Sequence, residues 1–142
     1  MAEGMNQPLY TTEILRLAAS LPLETSLAAP DGWGEKRSPT CGSLIRAEVA
    51  VDEAGRVTDL AQKVQACAFG QASAALVQGF AVGRSRAELA GARTELVGWL
   101  RGEREGNAIF AVLAPARPKT ARHGAILLPF DALIAALEDA GR

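Results

Sequence analysis

Aromatic side chains are scarce in this chain, at 5% of residues, so its core must be built mainly from Ala, Leu and Val. Ala-rich helices packed closely on a small sheet suit such a core. Histidine occurs once, at His123, and cysteine twice, at Cys41 and Cys67. A charge excess is missing too: 15 basic and 16 acidic residues leave a formal charge of -1. That balance gives no global electrostatic reason to expect nucleic acid or an anionic membrane as partner. No apolar run approaches the ~18 residues needed to span a bilayer. Residues 1–9 lack the charged-then-apolar layout of a signal peptide. The expectation is a cytoplasmic protein, whose two thiols sit where a structural disulfide is disfavoured. There is no Gly-rich phosphate loop, G-x-S-x-G elbow or H-E-x-x-H helix, so independent enzymatic activity is not expected.

What is present reads as one domain over residues 1–142, with 49% hydrophobic and 22% charged residues. Residues 1–8 are small and polar and read as disordered. A helix is predicted over 12–21, capped by Thr11 or Thr12 and ended by Pro22. Residues 23–28 read as a short strand, and 30–40, rich in Pro, Gly and charge, as a loop. The clearest strand signal follows, with Ile45, Ala47, Val49 and Val51 on one face. Asp52 to Gly55 form a hairpin turn, and a returning strand runs through 56–65. Small residues then predict a helix over 71–82, stopped by Gly83. Ser85 and Glu88 form a capping box for the next, which points Leu89, Ala92, Leu96, Trp99 and Leu100 inward and stops at Gly102. Residues 107–113 read as a short helix, 115–120 as a loop, and about 128–140 as a last helix with Pro129 near its first turn. The order is that of an α+β fold: a small antiparallel sheet of two to three strands, covered on one face by several helices.

Both cysteines fall at junctions, Cys41 before a strand and Cys67 between a strand and a helix. In an antiparallel pair the start of one strand lies beside the end of the next, so the two are expected to be neighbours. A thiol just before a helix also meets the positive helix end, which favours the thiolate. The plain alternative is two unrelated buried thiols acting as small hydrophobes. His123, a lone histidine at a loop-to-helix junction, is more often a packing or surface residue than a ligand. Arg117, Lys119, Arg122 and His123 make a basic cluster that reads as a solvated loop.

The segment Ser38-Pro39-Thr40-Cys41-Gly42-Ser43 resembles the N-P-x-C-G-D segment of iron–sulfur cluster assembly scaffolds of the IscU, SufU and NifU N-terminal type. Ala66-Cys67-Ala68-Phe69-Gly70-Gln71-Ala72-Ser73-Ala74-Ala75-Leu76 is similar to their G-C-x-x-x-x-A-S-x-S-L segment. Arg122-His123-Gly124-Ala125-Ile126-Leu127 resembles K-I-H-C-S-I-L, and Leu9 to Leu15 the family's opening helix. The resemblance implies an IscU/SufE-like fold and a cluster or metal site at Cys41, Cys67 and His123. It implies a transient Fe–S cluster, [2Fe–2S] foremost, or zinc, or no cofactor at all. Cysteine desulfurase and other assembly proteins would be the partners, and a homodimer would let two cysteines from each chain bridge a cluster.

Two departures matter. Ser43 stands where the family has Asp, and Gly124 or Ala125, depending on register, where it has the third cysteine. If the register is that of the SufU branch, His123 loses its support as a ligand. Neither Gly nor Ala offers a donor, so the chain supplies at most three of the four that zinc wants. Ala114 to Lys119 keep only prolines and a lysine of the family's chaperone-recognition motif. Two other functions compete: a SufE-like carrier holding a persulfide on Cys67, and a degenerate modulator of the assembly machinery that binds no cluster.

Overall fold

The computed structural model describes residues 10–39 and 42–142. The expected disorder at 1–8 lies outside them. Helix α1, Thr12–Ala19, starts where the Thr11 hydroxyl accepts from the Ile14 N–H at 3.2 Å. It buries Ile14 and Ala18 and ends at Ser20, earlier than expected. Residues 23–28 are not a strand. The Leu27 N–H goes instead to a carboxylate oxygen of Glu48, at 2.9 Å, so a side chain rather than a strand ladder holds this segment.

The sheet has three antiparallel strands in the order β1-β2-β3: β1 Gly32–Arg37, β2 Leu44–Val51 and β3 Val57–Gln65. Strand β1 corrects the expectation of a loop over 30–40. Its glycines are sites of close approach, not of turning. A Cβ on Gly34 would lie 2.6 Å from the Ala136 nitrogen and 2.7 Å from the Ala135 Cβ. Strand β2 follows the predicted alternation, with Ile45, Ala47 and Val49 buried and Val51 half-buried, and β3 returns beside it with Val57 and Leu60 buried. Gly55, at φ +81°, closes the turn between them, where its N–H donates to the Asp52 carbonyl.

Helix α2, Ala68–Phe80, begins directly after Cys67 rather than at 71. Gln62 donates to the Ala74 carbonyl and to Gln78, and Gln78 donates to the Leu60 carbonyl at 2.6 Å. These bonds fix α2 on β3. Helix α3, Arg86–Leu100, has the predicted capping box and buries Leu89, Leu96, Trp99 and Leu100, while Ala92 is half-buried. The helix expected over 107–113 is a turn followed by the 3-10 segment Ala111–Ala116, with Pro115 inside it. A 3-10 turn, Thr120–Arg122, then leads into α4, His123–Asp139.

Helix α4 starts five residues before the position expected, which leaves Pro129 inside it. Proline brings no N–H, so the Ala125 carbonyl gets no bond from position 129. The gain is a longer buried face: Ile126, Phe130, Leu133 and Leu137 are fully or almost fully enclosed. By length and composition Thr120–Asp139 could cross a membrane, yet in this fold it is the core helix lying on β1 and β2.

Candidate functional site

The two strand ends that flank the cysteines meet as expected: Leu44, opening β2, pairs with Gln65, closing β3. Cys41 itself, with Thr40, lies outside the described residues. Its neighbours belong to the connection between β1 and β2. There the Ser38 N–H donates to the Ser43 carbonyl at 2.8 Å and the Gly42 N–H to the Ser38 carbonyl at 3.0 Å. Gly42 takes φ +70°, a conformation that favours glycine. Ser43 is buried.

Cys67 is the N-cap of α2, extended at φ −65° and ψ 172°. Its thiol makes no capping hydrogen bond and no disulfide, and the residue is half-buried. Gln71 braces this junction twice. Its backbone N–H donates to the Cys67 carbonyl at 2.9 Å, and its side chain donates to the Ala66 carbonyl at 3.1 Å. The beginning of α4 packs against the same turn. A Cβ on Gly70 would lie 2.7 Å from the Ala66 Cβ and 3.3 Å from the Ala125 carbonyl oxygen. The fold therefore brings the first turn of α4 to the first turn of α2. Half-buried Gly124 and fully buried Ala125 stand there.

His123 is turned to another task. Its Nε2 lies 2.9 Å from the Arg117 carbonyl and 3.1 Å from the Ala116 carbonyl. Carbonyls only accept, so Nε2 carries the hydrogen, and a neutral ring would present its lone pair at Nδ1. A metal-binding histidine commonly donates its second nitrogen to a carbonyl in this way. Among the described residues, however, no three His, Cys, Asp or Glu side chains form a group that could hold a metal ion. Reading residues one at a time missed the bracing roles of Gln71 and of Ser73, whose hydroxyl donates to the Ile126 carbonyl at 2.6 Å. Their only signal was their place in the segment following Cys67.

Fold and site together define a small α+β domain that presents a thiol at a strand-to-helix junction. Residues 10–98 match the model of the NifU-like N terminal domain, a stretch that includes both cysteines and ends before His123. The chain belongs to the NifU-like N-terminal domain family. It is 31% identical to a NifU-like protein (N-terminal) from Brucella abortus, with a TM-score of 0.85 and 94% of each chain covered. A protein from Fervidobacterium islandicum, put forward as an iron–sulfur cluster assembly scaffold for the SUF system, shares the fold. It is 17% identical, with a TM-score of 0.79 over 91% of this chain and 96% of that one. None of the curated proteins matches the chain.

Proposed function

We propose that this protein is a scaffold-type component of iron–sulfur cluster assembly that receives sulfur and iron at Cys41 and Cys67. The observation that carries this reading is the junction at Cys67. A half-buried thiol with no capping bond sits before a helix, next to the strand end paired with the strand that follows Cys41. Family membership and the 31% identity to the Brucella protein support it.

The donor set shapes the chemistry. With Ser43 and Gly124 or Ala125 at the departing positions, one chain offers two thiolates and His123 Nδ1. A [2Fe–2S] cargo is then held by two cysteines from each of two chains, and a zinc ion by three donors plus one from outside. A cysteine desulfurase is the sulfur source in this reading.

Anaerobic reconstitution with iron and sulfide tests it, comparing wild type with Cys41→Ala and Cys67→Ala. The expected result is a visible chromophore lost in both variants, with a shift to dimer on size exclusion. A chromophore independent of both cysteines, or none at all, overturns the scaffold reading.

The free state of Cys67 favours a second reading, a persulfide carrier. The Cys67 thiolate would attack the outer sulfur of a desulfurase persulfide, forming a new S–S bond and releasing the desulfurase thiolate. Mass spectrometry would then show a gain of one sulfur on Cys67 without any cluster.

A further inference from the structure

Arg93 of α3 and Arg101, just past its end, add to the basic cluster that runs from Arg117 to His123. Arg93, Arg101, Thr120 and His123 line an open cavity of about 400 Å³ between α3 and the start of α4. Val97 and Leu127 form its apolar floor. Among the described residues no Asp or Glu lines it. Two other cavities differ in this respect: Glu88 and Glu95 line the one beside Arg84, and Asp131 and Glu138 the one beside Lys36 and Arg37. Arg93 is answered by Asp131 at 2.6 Å, but Arg101 is exposed and makes no ion pair among the described residues.

A guanidinium and a hydroxyl above an aliphatic floor match a ligand with a carboxylate head and an apolar body. A bare phosphate would leave the floor unused. The opening toward solvent suits a passing chain rather than an enclosed small molecule. We propose that this cavity docks an acidic, aliphatic peptide segment of a partner protein. Its carboxylate meets Arg101 and Thr120, and its aliphatic side chain covers Val97 and Leu127. His123 borders the groove two residues before Ala125, which packs against Gly70 in the first turn after Cys67. A partner held here therefore stands beside the Cys67 end of the fold. The inference rests on the cavity and requires no cluster.

Fluorescence anisotropy with a fluorescein-labelled decapeptide of alternating Leu and Glu, titrated with the full chain, tests it. A Leu/Gln decapeptide is the comparison. Wild type binds the acidic peptide, and added salt weakens the complex. Arg101→Glu weakens it about tenfold or more, and replacing Glu by Gln in the peptide does the same. Thr120→Val, which keeps size and removes the hydroxyl, weakens it about threefold. Arg16→Glu, on the exposed surface of α1, leaves it unchanged. Arg101 lies past the end of α3, so its reversal spares the fold, which circular dichroism checks. Absence of saturable binding up to about 1 mM overturns the proposal. So does equal binding by Arg101→Glu. Displacement by inorganic phosphate at the concentration of the peptide itself also overturns it, and would make this a small-oxyanion site.

Discussion

The Ser73 hydroxyl donates to the Ile126 carbonyl at 2.6 Å, and both residues are fully buried. This bond joins the second turn of α2, which Cys67 opens, to the first turn of α4, which His123 opens. Ser73→Ala removes it with almost no change in volume. The variant should lose about 1–2 kcal/mol of unfolding free energy, read by urea denaturation. Cys67 alkylation should also speed up, because the two helix starts are less firmly held.

Gly34 and Gly91 carry opposite expectations. At Gly34 a Cβ would strike the backbone of α4, 2.8 Å from the Ala132 carbonyl oxygen, where nothing can move aside. Gly34→Ala should destabilise the protein by about 2–3 kcal/mol or prevent folding. At Gly91, on the exposed side of α3, a Cβ meets nothing within 4 Å. Gly91→Ala should stabilise by about 0.5–1 kcal/mol, since alanine loses less backbone freedom on entering a helix. Thermal melts of the two variants check both signs.

Those glycines also show why part of the fold was legible in sequence and part was not. Strands β2 and β3 and helix α3 announce themselves by alternation, by the Asp52–Gly55 turn and by the Ser85–Glu88 box, all local signals. Strand β1 does not, because Gly32 and Gly34 answer to α4, a partner a hundred residues away. Pro129 misplaced the start of α4 for the same reason: burial of Ala125 and Ile126 outweighs the hydrogen bond that proline removes. At the site, strand order alone placed the segments flanking the two cysteines together. The task of His123 was hidden, because it depends on where the 3-10 segment puts its carbonyls.

Glu88 ties the start of α3 to the β2–β3 turn. Its carboxylate accepts from the Ser85 N–H at 3.0 Å and from Arg56 at 2.6 Å. The Ser85 backbone bond first, and the Arg56 bond next, hold its pKa below the ordinary 4.5. A depressed folded-state pKa contributes stability that is present above the unfolded value and lost as pH falls through the folded one. Wild type should therefore melt above Glu88→Gln at neutral pH. The gap should narrow as pH drops below 4.5 and close in stronger acid. Melting temperatures of the pair across that range read it directly. A gap independent of pH would mean that the difference does not come from the ionised carboxylate, and no gap at neutral pH that glutamine replaces the bonds equally well.

His123 holds the 3-10 segment by donating from Nε2 to the Ala116 and Arg117 carbonyls. Arg117 adds to the hold by donating to the Trp99 carbonyl at 2.8 Å, with its guanidinium over the Trp99 ring. His123→Ala should remove a donor from the Arg117 carbonyl and leave the Ala116 carbonyl with the Lys119 N–H alone, and so raise amide exchange across residues 111–117, with or without metal. A role of Nδ1 as third donor adds a separate expectation, that zinc retained per chain falls while Cys41 and Cys67 are intact. His123→Gln separates the two effects, since its amide N–H can still donate to the carbonyls but its oxygen is a poor zinc ligand. Exchange should return toward wild type in His123→Gln while zinc retention stays low. Normal zinc retention in both variants would leave His123 as a latch for the 3-10 segment and nothing more.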